Sequence, residues 1–232
     1  MRLKAYSYFG EIVRVEERGS MLLTETAYEP SMHLPDHSHG SSHLAILVAG
    51  CYLERIGSNA NLWFPGDAVH YRPDVQHDNL FGARPARCIN LEFDERSMPP
   101  ECMTNASYVP AEVRTLLSSS CQNGSIKSPD WIAEARTRID ARPSLSLGPL
   151  AEELAVHPSY LARTFRRAYG LSVGQYASLQ RVRLGARLLI ESESPIAEIA
   201  FDAGFFDQSH FANAFASLAG FTPAALRRIV HA

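Results

Sequence analysis

The sequence predicts an N-terminal all-β barrel or sandwich followed by an all-α domain with two helix-turn-helix units. Short β-type runs between residues 44 and 93 are separated by Gly, Pro and Asn turns. From residue 129 the apolar spacing changes to a helical period, with helix-start and helix-stop residues around each segment. One helical segment also occurs twice, because the pattern at 159–172 returns at 209–222.

Length and composition are those of a soluble globular protein in a reducing compartment. The chain has 232 residues, enough for two cores, with 46% hydrophobic and 20% charged residues. It has no apolar run of about 18 residues, so no membrane span is expected, and the first ten residues lack the apolar region of a secretory signal. The cysteines (Cys51, Cys88, Cys102 and Cys121) show no paired spacing, which favours the cytoplasm over a disulfide framework.

The first domain is assigned to residues 1–100. Residues 1–30 alternate only loosely and are interpreted as an arm with short strands. Clearer strands are expected at 44–49, 51–56, 61–64, 68–71 and 87–93. Short strands at this spacing predict an antiparallel sandwich or barrel.

Four histidines of this domain are candidate metal ligands. His37 and His39 are two positions apart, so in a strand their side chains face the same way. His43 lies one turn farther along, and His77 could arrive from a neighbouring strand. Three or four converging imidazoles suit a divalent transition metal. The alternative is a ligand pocket, or a loop, whose histidines are partly exposed and hydrogen-bonded.

These histidines belong to segments that resemble the two motifs of the cupin fold, over roughly residues 30–95. The first is His37-Ser-His39 through His43 to Gly50, and the second is Pro65-Gly66-Asp67 followed by His77. The resemblance implies a cupin-like barrel. The chain departs from it in two ways: His43 stands where cupin enzymes usually carry a glutamate ligand, and the step from Pro73 to His77 is one residue short.

A linker is assigned to residues 101–127, with the domain boundary near 125. Residues 109–117 could form a short helix, which makes either a homodimer contact or a contact with its own barrel. Residues 118–125 have the Ser-rich composition of a linker.

The second domain, 128–232, opens with Ser128 as N-cap, Pro129 at the first helical position and Asp130 in the first turn. Helices are expected from there to about Ala141, at 149–155 and from Pro158 to Tyr169. In the last of these Leu161, Phe165 and Ala168 share the inner face. The outer side carries Ser159, Ala162, Arg163, Arg166 and Arg167.

That outer face suits the major groove of DNA. Small residues near the N-terminus of a helix can reach base edges, while later basic residues meet phosphates. Arg163 is the best candidate for a bidentate contact to guanine.

Charge is distributed in keeping with this interpretation. Residues 1–128 hold 11 Lys and Arg against 15 Asp and Glu, a balance of −4, whereas 129–232 hold 11 against 10, a balance of +1. Residues 157–190 contain Arg163, Arg166, Arg167, Arg181, Arg183 and Arg187 and no acid. Such a basic stripe is the footprint of phosphate binding, although a solvated helix face would have the same composition.

A long helix and a second helical unit complete the domain. The helix from Val173 to Glu191 would span about 28 Å, close to the roughly 34 Å between successive major-groove faces. In the second unit Pro195 opens the first helix, Gly204 makes the turn and Asp207 caps the second helix. Phe211, Phe215 and Leu218 form its inner face, and Gln208, Ser209, His210 and Asn213 point outward.

The second unit resembles the signature of AraC/XylS-type bacterial transcription regulators. The matching residues are Ile199-Ala200, Gly204-Phe205, Asp207 to Phe211, Phe215 and Gly220 to Pro223. The first unit, from Leu150 to Gly170, fits the family's first helix-turn-helix. The resemblance covers about residues 129–229. It implies a non-enzymatic, sequence-specific regulator that binds double-stranded promoter or operator DNA, with RNA polymerase and a second copy of the chain as further partners. The cupin-like domain would sense a small molecule or a metal. One alternative is a metal-dependent cupin enzyme with a DNA-binding appendage, and another is a DNA-binding protein whose degenerate barrel serves only dimerisation.

The resemblance also implies specific DNA contacts. They are Ser159, Ala162 and Arg163 in the first recognition helix, and Gln208, Ser209, His210 and Asn213 in the second. The chain departs from the family at His157 and Phe206, where a capping serine is usual, and at Ala216-Ser217, which replace a basic pair. We therefore expect the second unit to contribute less phosphate affinity than the first, which keeps Arg166-Arg167.

Overall fold

A computed structural model describes residues 1–3, 7–18, 21–92 and 129–231. The described residues up to 92 are all-β and those from 129 onward are all-α, so the predicted fold class is confirmed. The predicted helix at 109–117, the boundary near 125 and the cap at Ser128 lie outside these residues.

Within the described residues up to 92, ten strands make two five-stranded sheets. They are β1 (Arg2–Leu3), β2 (Glu11–Arg18), β3 (Met21–Tyr28), β4 (His33–His39), β5 (His43–Ala49), β6 (Tyr52–Ile56), β7 (Asn59–Trp63), β8 (Ala68–Tyr71), β9 (His77–Phe81) and β10 (Ala86–Glu92). The strand orders are β1-β4-β9-β6-β7 and β2-β3-β10-β5-β8. Neighbouring strands are antiparallel except β1 and β4.

The strands predicted from residue 44 onward lie within two residues of β5 to β8 and β10. For β9 the sequence indicates only that His77 could lie on a neighbouring strand, without bounds for that strand, and β2 and β3 have no clear pattern in the sequence. In β9, three of the five residues are polar, and β4 contains Pro35 and three histidines, so neither carries a clean alternation.

The two sheets pack through one apolar cluster. Tyr28, Leu47 and Cys88 come from one sheet, and Leu34, Tyr52 and Phe81 come from the other. The Tyr28 and Phe81 rings stack with centroids 4.3 Å apart. Side chains that point inward from the same strands, but farther along them, therefore meet in the space between the sheets.

Seven helices are found in the described residues from 129 to 231. They are α1 (Asp130–Ala141), α2 (Leu147–Glu153), α3 (Pro158–Tyr169), α4 (Val173–Glu191), α5 (Ile196–Asp202), α6 (Gln208–Ala219) and α7 (Pro223–Val230). Pro129 occupies the N-cap position of α1, one residue before its predicted place at the first helical position, and its side chain makes no capping hydrogen bond. None of the described helices combines the length and apolar character needed to cross a bilayer.

The predicted inner residues of the recognition helices α3 and α6 are buried, except for one residue in each helix. Leu161 and Phe165 are fully buried, but Ala168 is exposed. Tyr169 takes its place, with its ring 4.7 Å from Phe165 and its hydroxyl donating to the Ile132 carbonyl at 3.2 Å.

In α6, Phe211 and Phe215 are fully buried. Leu218 is only partly buried, while Ala219 is 1% exposed and continues the four-residue spacing from Phe215. Each recognition helix therefore has a rigid apolar underside, which leaves the opposite face to solvent.

Candidate metal centre and nucleic-acid interface

Strand pairing brings the four predicted histidines to one cavity. In the β4–β9 pair His37 lies directly opposite His77, after a bulge that follows Leu34. His39 follows on the same face of β4, and His43 begins β5. Their exposed fractions are 2%, 8%, 2% and 2% for His37, His39, His43 and His77, so all four imidazoles are removed from water.

Three of the four histidines form the tightest group. One ring nitrogen from each of His37, His39 and His77 lies within 4.8 Å of the others. Two nitrogens on a tetrahedral zinc are about 3.4 Å apart, from Zn–N bonds of about 2.05 Å, so a metal would draw these rings inward. The His43 ring lies beside the trio, with its centroid 4.4 Å from that of His39.

Backbone carbonyls set the tautomer of two of these rings. The Nδ1 of His37 is 2.8 Å from the Pro35 carbonyl oxygen, and the Nδ1 of His77 is 3.0 Å from that of Val75. Because a carbonyl only accepts, each Nδ1 carries the hydrogen and donates it. The lone pair of a neutral ring then resides on Nε2, the arrangement typical of histidines that bind metals.

Burial keeps these imidazoles neutral. Loss of hydration is the main cause that lowers the pKa of all four, to about 2 for His39, about 3 for His43 and about 4 for His77. Neighbouring imidazoles lower the pKa of His39 further. At neutral pH the cluster therefore offers lone pairs without first releasing protons, as metal binding requires.

Two buried carboxylates hold the aromatic walls of the cavity. The Tyr71 ring lies 4.6 Å from the His77 ring and 4.8 Å from the His43 ring. Its hydroxyl donates to Glu54, which is 1% exposed and also accepts from the Trp63 indole at 2.9 Å. Burial raises the pKa of the Glu54 carboxyl, and these two hydrogen bonds oppose that effect.

On the other side Tyr8 donates to Glu92 at 2.7 Å, and Ser41 donates to the second oxygen of the same carboxylate at 2.5 Å. The Tyr8 ring lies 5.7 Å from the His39 ring. No pattern in the sequence indicates this arrangement, because Tyr8 and Glu92 are 84 positions apart.

The cavity and the solvent space at its mouth together measure about 390 Å³. Its polar groups are neutral imidazoles, tyrosine hydroxyls and two asparagines, Asn79 and Asn90. Such a lining can hold a divalent transition metal with a small further ligand, or it can hydrogen-bond a small polar molecule.

The first recognition helix presents the residues expected to contact DNA. Ser159, Arg163, Arg166 and Arg167 are exposed, and Ala162 is partly exposed. The helix is capped by His157, whose Nδ1 accepts from the Ser159 backbone N–H at 3.2 Å. A histidine therefore fills the capping role usually taken by serine, and in that tautomer it satisfies one of the free N–H groups at the start of α3.

The second recognition helix exposes Gln208, Ser209, His210 and Asn213. Asp207 precedes it and accepts from the His210 backbone N–H at 2.7 Å, so the cap lies at Asp207, as predicted. Phe206 is therefore not at the capping position, contrary to what the family resemblance implied. It is 92% exposed.

Fewer arginines of the predicted basic stripe are fully exposed than the sequence predicts. Arg163, Arg166, Arg167 and Arg187 are exposed, but Arg181 and Arg183 are only partly exposed. Arg181 contributes to the turn of the second unit: its guanidinium lies 5.1 Å from the Phe205 ring centroid and donates to the Gly204 carbonyl at 3.3 Å. Three of the four exposed arginines of the predicted stripe thus lie on α3.

Comparison with known proteins also identifies a helix-turn-helix domain in the helical part. Residues 150–229 match a family model described as a helix-turn-helix domain. The regulator GlxA of Rhizobium meliloti is 39% identical over 79 residues, covering 34% of this chain and 24% of that protein. The arabinose operon regulatory protein of Escherichia coli is 30% identical over 87 residues, covering 38% and 30%.

The bifunctional transcriptional activator/DNA repair enzyme AdaA of Bacillus subtilis is 28% identical over 113 residues, covering 47% of this chain and 54% of that protein. The chain thus spans less than a third of the length of the first two relatives and about half of the third.

Proposed function

The helical part of this chain is an AraC-type helix-turn-helix domain, and on that premise we propose that the protein is a sequence-specific transcription regulator whose β part binds an effector. One observation carries the DNA-binding proposal. In α3 a buried underside of Leu161 and Phe165 holds Arg163, Arg166 and Arg167 on the exposed face. A rigid basic helix of this kind fits the major groove.

The two units contribute differently to binding. Near the N-terminus of α3, Ser159, Ala162 and Arg163 contact base edges, and Arg163 donates both arms of its guanidinium to guanine. Arg166 and Arg167, farther along, neutralise phosphates. The α6 face carries Gln208, Ser209, His210 and Asn213, which select bases through hydrogen bonds and add little charge.

The effector site is the histidine cavity, and we assign a divalent transition metal to it. His37, His39 and His77 would hold the ion through neutral nitrogens, supported by the carbonyls of Pro35 and Val75. A bound metal would supply positive charge and coordination positions for a small ligand from the cavity. Thermodynamic linkage sets the size of any effect on DNA binding. An effector changes the DNA affinity only by the factor by which the effector's own affinity differs between the DNA-bound and the free chain. A small polar molecule held by the same imidazoles is the other effector class.

A metal-dependent cupin enzyme with a DNA-binding appendage is the second candidate function. The three-imidazole group favours it, since three ligands leave coordination open to a substrate. The bifunctional relative AdaA adds that a transcription activator can carry an enzymatic activity. We favour the regulator, because both recognition faces are exposed and retain their hydrogen-bonding residues. It would act in the cytoplasm, with RNA polymerase and a second copy of the chain as further partners.

Two measurements on the full chain test these proposals. Selection from a random pool of duplex DNA should enrich one sequence motif, and failure to enrich any motif would end the regulator proposal. Elemental analysis after purification without chelators, followed by zinc, nickel and cobalt titration, should give about one metal per chain. Replacement of His77 by Gln should abolish binding, whereas replacement of the exposed His33 by Gln should not. Equal binding by both variants would remove the metal assignment, and sub-stoichiometric metal would also end the enzyme alternative.

A further inference from the structure

The second helix-turn-helix contains one residue that has no counterpart in the first. Each turn has a residue with left-handed backbone, Ala155 (φ 52°) in the first unit and Gly204 (φ 79°) in the second. From Ala155 the chain reaches the capping residue His157 in two steps, whereas from Gly204 it reaches Asp207 in three. One residue has therefore been added to the second turn.

The added residue is Phe206. The residue after each left-handed position packs inward: Val156 packs against the first unit's core and Phe205 is 3% exposed. These two are structural counterparts, which leaves Phe206 between the packed Phe205 and the cap Asp207. Phe206 is 92% exposed, so its ring makes almost no contribution to the core of the chain.

Neighbouring side chains hold this turn in place. The Phe205 ring is contacted by the Arg181 guanidinium at 5.1 Å, by the His210 ring at 5.2 Å and by the Phe211 ring at 5.1 Å. Arg181 also donates to the Gly204 carbonyl. The backbone on both sides of Phe206 is thus held, by these contacts and by the Asp207 cap, so Phe206 stands just before the start of α6 with its side chain in solvent.

We propose that Phe206 reads a thymine by contact with its C5-methyl group. This inference rests on the proposed DNA-binding function. The start of a recognition helix is the part that enters the major groove, and a phenyl ring offers no hydrogen bond to a base edge. The apolar feature of that groove is the thymine methyl group, which side chains such as Phe contact. Phe206 therefore adds a methyl reader to a face that otherwise selects through Gln208, Ser209 and His210.

Thymine-to-uracil scanning tests this directly, because deoxyuridine lacks only the methyl group. The probe is the duplex motif that the wild-type full chain selects from a random pool, with each thymine replaced in turn by deoxyuridine. For wild type we expect one position where the replacement weakens binding about fourfold, the value of one buried methyl group. Phe206→Ser should show no loss at that position, and Phe206→Leu should largely keep it.

Phe201→Ser is the matched control, because Phe201 is also exposed but lies on α5 rather than beside the recognition helix. It should keep the wild-type scan. If Phe206→Ser binds the motif with an unchanged scan, the inference is wrong, and the ring remains available to a protein partner. The inference is equally wrong if Phe201→Ser loses the sensitive position. Should wild type select no motif, both this inference and the proposed function fail.

Discussion

At the scale of single residues, the buried histidines make the stability of the β part depend on pH. In the unfolded chain a histidine takes up a proton near pH 6.5, whereas the folded pKa values fall to about 4 for His77 and about 3 for His43. As the pH falls below 6.5 the unfolded state therefore binds more protons than the folded state. The stability present above pH 6.5 is lost at up to about 1.4 kcal/mol per pH unit for each such ring, until the folded pKa is reached.

Urea unfolding of chelator-treated protein checks this expectation. Between pH 7 and pH 5 the midpoint for the β part should fall, and His77→Gln should reduce the slope of that fall. His33→Gln, at an exposed position on β4, should keep the full slope. A midpoint that does not change over this range would contradict the assignment of neutral, buried imidazoles.

A pair of turn residues offers a second test at this scale. Ala155 adopts φ 52°, in a region that costs an L-residue roughly 1–2 kcal/mol, while glycine there loses about 0.5–1 kcal/mol of backbone entropy. Ala155→Gly should therefore raise the stability of the helical part by up to about 1 kcal/mol. Gly204→Ala, at φ 79°, should lower it by a similar amount. Chemical denaturation followed by far-UV circular dichroism measures both, and changes of the same sign would contradict the account.

At the scale of elements, α4 and α6 depend on a close approach at Gly185. A Cβ atom at this position would lie 2.5 Å and 2.7 Å from two atoms of the Phe211 ring. Gly185→Ala should destabilise the helical part by about 1–3 kcal/mol, because the fully buried Phe211 ring would have to shift to admit the methyl group. Gly174→Ala in the same helix meets nothing within 4 Å, so it should stabilise by about 0.5–1 kcal/mol. Equal effects of both substitutions on the unfolding midpoint would show that the contact is not tight.

The recognition helices differ in charge, which gives a prediction for each. Replacing Arg166 and Arg167 by Gln should weaken DNA binding strongly and reduce the slope of log affinity against log salt by about two. Replacing Gln208 and Asn213 by Ala should alter base preference and leave that slope unchanged. Affinity titrations at several salt concentrations separate these outcomes, and a slope that changes more with the α6 pair would contradict the proposed asymmetry.

Elements with a local signal could be predicted from the sequence, and those that depend on distant pairing could not. The i, i+2 spacing is enough to place His37 and His39 on one face. That His77 meets them depends on the β4–β9 pairing and its bulge, and β9 has little apolar alternation of its own. The inner faces of α3 and α6 follow from helical spacing, whereas their ends at Ala168 and Leu218 differ from it.

The contacts of the cavity wall and the role of Arg181 could not be predicted for a different reason. The contacts that hold Tyr8 and Tyr71 in the cavity wall involve carboxylates at Glu92 and Glu54, and no periodicity relates these positions. Likewise six arginines without an acid suggested a continuous basic stripe. Only the structure shows that Arg181 is used to hold a turn.

At the scale of the whole molecule, the chain combines a neutral, buried histidine cavity with an exposed basic reading surface. Under the proposed function, the first would change its charge by taking up a cation, and the second would bind a polyanion. Thermodynamic linkage makes the relation reciprocal: if metal occupancy changes DNA affinity, DNA changes metal affinity by the same factor. Metal titrations of the chain with and without its selected DNA should therefore give different midpoints, and His77→Gln should remove the difference.

The central claim is that α3 reads DNA bases, and Arg163 tests it most directly. Base preferences of wild type, Arg163→Ala and Arg166→Ala should be measured by selection and competition binding on the same duplex library. We expect Arg163→Ala to relax preference for guanine at one position by about 1–3 kcal/mol, while Arg166→Ala weakens all sequences alike. If Arg163→Ala selects the wild-type motif with wild-type affinity and preference, α3 is not the reading helix and the account is wrong.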